Sequence, residues 1–231
     1  MMHYREVPIQ ECGEPLVDLP DEISRIDPHP YSALGAPYEN ASPFMVRAGI
    51  LDKLRQAEKS LHTMDVGCRL QIFDAYRPIA VQQFMVDWTF QQQLNLHNLK
   101  VTDLTPEQHR KILETVYQFW AVPSDDPATP PPHSTGAAVD LMLIDLEGNP
   151  INMGSEIDEI SERSYPDYFS EINSDFHGNR TILKTAMISA GFNQHEREWW
   201  HFSYGDQLWA FDQRQPMAIY GGWPSSVSKM P

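Results

Sequence analysis

Cysteine is nearly absent from this chain of 231 residues: Cys12 and Cys68 are the only two, and they lie far apart with no CxxC spacing. Neither a disulfide framework nor a thiolate metal site follows, and inert thiols are expected. Basic residues are also scarce. Lys and Arg total 17 against 32 Asp and Glu, a formal charge of −15 at pH 7, which disfavours nucleic acid and anionic membrane as partners. No apolar run approaches the length of a membrane span. The segment Met1 to Pro8 has no apolar core of the kind a signal peptide needs, so a cytoplasmic protein is expected. Repeats and low-complexity stretches are missing too, which leaves one domain over 1–231. An irregular arm, about 1–43 and rich in Pro, Asp, Glu and Ser, precedes its body, and a tail of about 206–231 follows it. Tyr31 and Tyr38 suggest that the arm packs.

Periodicity outlines the body. Apolar residues recur at helical spacing from Phe44 to His62, Leu70 to Phe73 reads as a buried strand, and Pro78 opens a helix running to about Leu96. Thr105-Pro106-Glu107-Gln108 has the form of a capping box, and its helix is expected to reach about Trp120. The proline-rich stretch 122–132 delivers the chain as a loop to His133. Ala137 to Ile144 then reads as a strand, followed by a turn at 145–150. A helix from about Arg180 to Ala190, capped by Asn179 and stopped by Gly191, precedes a last strand from Glu198 to Tyr204. Helices come first and strands cluster later around the candidate site residues. That order predicts an α+β fold, with a small antiparallel sheet flanked by helices.

Two segments carry chemistry. His133-Ser-Thr-Gly-Ala-Ala-Val-Asp140 places a histidine before a glycine turn and an aspartate inside an apolar strand, where its charge needs a cleft, a partner or a cation. Either metal ligation or a structural His–Asp pair fits that segment alone. Glu198-Trp-Trp-His201 adds a carboxylate and a second imidazole. Strict pleating would send Glu198 and His201 to opposite faces, so a bulge or a strand end is required there. Two imidazoles and a carboxylate, with one position left open, match a hydrolytic zinc centre. In Asp74-Ala-Tyr-Arg77-Pro78 a guanidinium stands beside a rigid turn, able to stabilise an oxyanion or to form an ordinary ion pair. His3, His29, His62, His97, His109 and His177 show no ligand spacing and read as surface residues, while His195 is close enough in sequence to support Glu198.

Taken jointly and in order, these three segments resemble the D-alanyl-D-alanine dipeptidases associated with vancomycin resistance, part of a group of zinc D,D-peptidases that share a small α+β fold with the Hedgehog signalling domain. The resemblance covers roughly Tyr38 to Tyr204. It implies one zinc ion held by His133, Asp140 and His201, Glu198 as general base and then proton donor to the leaving amine, and Arg77 on the tetrahedral oxyanion. Asp158, in Met153-Gly-Ser-Glu-Ile-Asp158, matches the family position that receives the free ammonium of a dipeptide, and Tyr38 matches a tyrosine near the substrate pocket. The implied activity is hydrolysis of D-Ala-D-Ala to two D-alanines in cell-wall dipeptide turnover. A D,D-carboxypeptidase or endopeptidase acting on peptidoglycan stems, or a zinc-retaining binding domain, are the alternatives. Pro131-Pro132 and Pro43 depart from the family pattern, and the region between Gln91 and Pro130 is longer than in the compact members.

Overall fold

Strand β5, Ala138–Asp145, is buried along almost its whole length, as its near-continuous apolar run demands of a central strand. It pairs antiparallel with β4, Cys68–Asp74, on one side and with β7, His201–Ser203, on the other. Beyond β7 lies β6, Asn193–Gln194, also antiparallel. The outer edge of β4 takes a short parallel strand, β2, Ser24–Arg25, giving the order β2-β4-β5-β7-β6. The expected antiparallel sheet is therefore present, with one parallel strand added by the N-terminal arm. The computed structural model describes residues 3–223.

Helix α2, Ala48–Met64, buries Ile50, Leu54, Ala57 and Leu61, one face at helical spacing. That face packs with α5, Ser174–Ser189, and the sheet into the main core, where Trp199, Trp200 and Phe202 also lie. A second apolar cluster joins α3, Ile79–Leu96, and α4, Pro106–Val116, to Tyr31, Tyr38 and Trp120. The capping box at Thr105 forms as expected: Gln108 N donates to Thr105 Oγ1 at 3.2 Å and Thr105 N to Gln108 Oε1 at 2.9 Å.

Several boundaries differ from the sequence reading, each for a local reason. Met45–Arg47 is a strand, β3, pairing with β1, Leu16–Asp18, so the helix expected from Phe44 starts at Ala48. Pro78 caps α3 from outside its first turn. The helix expected to start near Arg180 begins at Ser174, because Asn173 Oδ1 accepts from Asp175 N and Phe176 N. Asn179 lies within that helix and donates to Asn152 O instead. Helix α4 ends at Val116, and the chain turns off before Trp120. The arm is less irregular than expected, since it contributes β1, β2 and the four-residue helix α1, Pro30–Ala33. The tail is likewise structured: α6, Gln207–Asp212, is followed by buried Ala218 and Tyr220. Its residues from Pro224 onward lie outside the described residues.

One buried cation ties both ends of the chain to the middle. Arg47 donates from Nη1 and Nη2 to the two carboxylate oxygens of Glu11, each at 3.0 Å, and to Glu14 O and Gly221 O. Its Nε reaches Thr135 O at 2.7 Å. All five guanidinium hydrogens are thus used, and one of the acceptors belongs to the turn that carries His133.

Candidate active site

The register of the sheet sets three side chains in a row. Asp140, in the middle of β5, has Asp74 of β4 as its Cα partner on one side and His201 of β7 on the other. A register shift between Ile72 and Asp74 re-aims the end of β4, the usual effect of a bulge. His133 enters from a 3-10 turn, Pro132–Thr135, which closes on Gly136 at φ +72°. That left-handed conformation is costly for any residue with a Cβ. Glu198 precedes β7, which begins only at His201. The strand end predicted to be needed is therefore present, and it frees Glu198 and His201 from strict alternation.

Backbone bonds lock the two motif turns together. Arg77 N donates to His133 O at 3.2 Å, Ser134 Oγ donates to Arg77 O at 2.7 Å, and the amides of Ala75 and Tyr76 both reach Pro43 O. His133 Nδ1 lies 2.7 Å from Ala75 O. A carbonyl only accepts, so Nδ1 carries the proton and Nε2 presents a lone pair. That Nε2 is 3.1 Å from His201 Nδ1 and 3.2 Å from Asp140 Oδ2, while His201 Nδ1 is 2.9 Å from Asp140 Oδ1. One ligand atom from each residue lies within 4.8 Å of the others, and all three side chains are buried. Two nitrogens and one carboxylate oxygen converging in this way are a donor set that zinc accepts. Burial opposes ionisation of Asp140, but the adjoining His133 and His201 outweigh it and hold the carboxyl well below its usual range.

Asp74 organises the surroundings. Its Oδ1 accepts from His29 Nε2 at 3.0 Å and Tyr38 Oη at 3.1 Å, and its Oδ2 accepts from Arg77 Nη2 at 2.7 Å and Nε at 3.1 Å. Burial works against its charge, yet Arg77 and the His29 hydrogen bond keep the Asp74 carboxyl below the ordinary value. His29 is therefore buried, contrary to its reading as a surface residue, because α1 folds the arm over the Asp74 turn. Arg77 also reaches Gln82 Oε1 at 2.9 Å and Asp140 Oδ2 at 3.4 Å. Among the described residues this leaves one Nη1 hydrogen without an acceptor. The rings of Tyr31 and Trp120 lie 5.1 and 4.8 Å from the guanidinium carbon.

A cavity of about 150 Å³ opens at this point, lined by Arg77, His133, Asp140, Asp158, Glu198 and His201, with Trp120 and Trp200 among its walls. Glu198 Oε2 is 3.8 Å from both His201 Nδ1 and His195 Nδ1, so His195 does stand beside Glu198. Burial first, then Asp140 and Asp158, push the Glu198 carboxyl well above its ordinary value. Asp158, at φ +65°, is raised to about 7 by burial and by Asp140. Its loop is pinned from below by buried Arg180, which donates to Met153 O, Tyr165 O, Ser155 Oγ and Arg163 O. Tyr38 does not line the cavity, since its hydroxyl is spent on Asp74. Sequence reasoning gave no part to Tyr31, whose hydroxyl meets Asp158, nor to Gln82 and Trp120 on the wall. No local pattern marks them: Tyr31 and Trp120 act across long sequence separations, and Gln82, five positions from Arg77, reads as an ordinary helix residue.

Among the described residues no helix is long and apolar enough to cross a membrane. A family model described as D-ala-D-ala dipeptidase matches residues 24–219. A D-alanyl-D-alanine dipeptidase from Synechocystis sp. is 48% identical over 235 residues, 94% of this chain and 95% of that protein. Another, from Enterococcus faecalis, is 30% identical over 155 residues, 67% of this chain and 70% of its own. A solved structure of VanYB in complex with D-Alanine-D-Alanine aligns with TM-score 0.45 and 16% identity, over 75% of this chain and 80% of that one. With the family model spanning most of its length, this chain belongs to the D-ala-D-ala dipeptidase family, peptidase family M15.

Proposed function

We propose that the chain is a zinc peptidase that hydrolyses free D-Ala-D-Ala to two molecules of D-alanine. The observation that carries the reading is one cavity holding both a His133–Asp140–His201 donor set and a separate carboxylate, Asp158, to which no cationic side chain among the described residues is bonded. Three acidic side chains against one guanidinium make the cavity a receptor for positive charge, which suits both a metal ion and a peptide ammonium.

Zinc held by those three residues would supply Lewis acidity at the scissile carbonyl. The remaining work falls to the chain. Glu198 takes a proton from the attacking water at Oε2 and returns it to the leaving amine nitrogen, a role suited to a carboxyl whose affinity for protons burial has raised. Arg77, fixed by Asp74 and Gln82, offers its remaining Nη1 hydrogen to the oxyanion as charge develops. Asp158 receives the free ammonium, and a peptide extended or capped at that end would leave the partly buried carboxylate without a cation. Tyr38 acts indirectly, by orienting Asp74.

The test is release of D-alanine from D-Ala-D-Ala by zinc-loaded protein, beside L-Ala-L-Ala, N-acetyl-D-Ala-D-Ala and a chelated control. Turnover of the free D,D-dipeptide alone, abolished by the chelator, is the expected result. Efficient cleavage of the acetylated compound would replace the dipeptidase reading with a carboxypeptidase. A role in cell-wall dipeptide turnover and a cytoplasmic location belong to the same proposal, because a free dipeptide is a soluble substrate and wall polymer is not. Fractionation of cells that express the tagged chain decides the compartment.

A further inference from the structure

Asp158 is held by a residue from the opposite end of the sequence. Tyr31 Oη donates to Asp158 Oδ2 at 2.7 Å across 127 positions, from a side chain that is 2% exposed. Among the described residues Asp158 Oδ1 has no donor, and the residue faces the cavity. Arg77, the guanidinium that lines the cavity, is bonded to Asp74, Gln82 and Asp140. Asp158 is partly buried, and a purely structural carboxylate at that depth would be expected to have a cation or several N–H donors around it. This one has a single neutral donor on one oxygen, and a backbone in the left-handed region, the kind of local strain that collects at ligand sites.

We propose that Tyr31 is a positioning residue for substrate recognition: its hydroxyl fixes Asp158 by one oxygen so that the other receives the dipeptide ammonium. The inference rests on the reading of Asp158 given above. Tyr31 suits the task on two counts. Burial and the neighbouring Asp158 raise its own pKa well above the ordinary value, so it remains a donor at any working pH. Its ring is also locked, edge-on to His29 and Phe73 and 5.1 Å from the Arg77 guanidinium carbon. One side chain from the arm thus spans the ammonium site and the oxyanion site.

Tyr31→Phe keeps the ring, and with it the packing on Arg77, while removing only the hydrogen bond to Asp158. In the zinc-loaded enzyme, KM for D-Ala-D-Ala should rise about tenfold, the worth of a hydrogen bond to a charged group. The kcat should stay within about twofold of wild type, and N-acetyl-D-Ala-D-Ala should remain uncleaved. Made in an Asp158→Asn background, the same substitution should alter KM by less than about twofold, because Tyr31 acts through Asp158. A general loss of packing would lower kcat as well and would persist in that background, so the double variant separates the two even if Tyr31→Phe unfolds at lower temperature. If Asp158→Asn raises KM and Tyr31→Phe does not, Tyr31 is no positioning residue while the Asp158 reading stands. If Asp158→Asn leaves KM unchanged, the ammonium reading falls and this inference with it.

Discussion

The two walls of the cavity are built on different terms. The metal-facing wall rises from paired strands and a glycine-closed turn. Asp140 and His201 are register partners, and the ring of His133 is fixed by the Ala75 carbonyl. The facing wall is assembled from a segment beyond a helix end and an irregular loop, supplying Trp120 and Asp158, with Tyr31 of the arm bonded to Asp158. Strands resist displacement through their ladders, whereas loops hold position only through particular contacts such as those of Arg180. On the proposed roles, chemistry sits on the rigid side and recognition on the adaptable one, so changes on the first should strike turnover and metal, and changes on the second should strike affinity.

The sharpest division should come from Glu198→Gln. It removes the proposed base without removing a proposed metal donor, so kcat should fall about 10³-fold with KM little altered and zinc content, measured by elemental analysis, unchanged. Zinc loss in that variant would make Glu198 part of the metal wall and break the comparison. A smaller effect is expected from Gly136→Ala. The new Cβ would sit 2.2 Å from Leu16 Cδ2 on a backbone at φ +72°, a cost of about 1–3 kcal/mol. Thermal unfolding and zinc affinity should both weaken, because the turn that holds His133 has to shift, while KM moves little. The mildest effect belongs to pH. Asp158 is raised to about 7 in the fold, so it is protonated below that value and anionic above it. In the zinc-loaded enzyme the cation on Asp140 offsets one of the two causes, so KM for the dipeptide should fall as pH rises toward about 7, then climb once the substrate amine deprotonates near about 8. A KM that is flat from about pH 4 to 8 would remove Asp158 from recognition. The linkage sign for folding is opposite: a raised carboxyl stabilises the fold below its unfolded pKa, and that stability is lost as pH passes through about 7, visible as a falling unfolding midpoint of the metal-free chain.

The same contrast explains what could be read in advance. His133 to Asp140 and Glu198 to His201 are short runs in which adjoining residues serve one centre, so their order along the chain carries the geometry. The α+β architecture followed from periodicity in α2, α3 and β5. Tyr31 and His29 were illegible because their partners, Asp158 and Asp74, lie 127 and 45 positions away, and nothing local distinguishes them from packing or surface residues. The cap of α5 was misplaced because Asn179, before an apolar run, looked like a boundary. Asn173 performs that function, and the helix tolerates Gly178 in its interior. The 117–121 segment read as helix because the periodicity of α4 continues into it, while the Gln82 bond to Ala121 O, at 2.7 Å, holds its far end on the cavity wall.

Arg47 bears on how far the chain can be trimmed. Its five donors draw on Glu11, Glu14, Thr135 and Gly221, and the amide of Trp223 binds Ser134 O at 2.9 Å. The turn under His133 is therefore braced from both flanks of the domain. Removing the stretch around Gly221 would leave a buried guanidinium short of an acceptor, so trimming there should loosen a metal-donor turn with which the removed residues share no part of the motif.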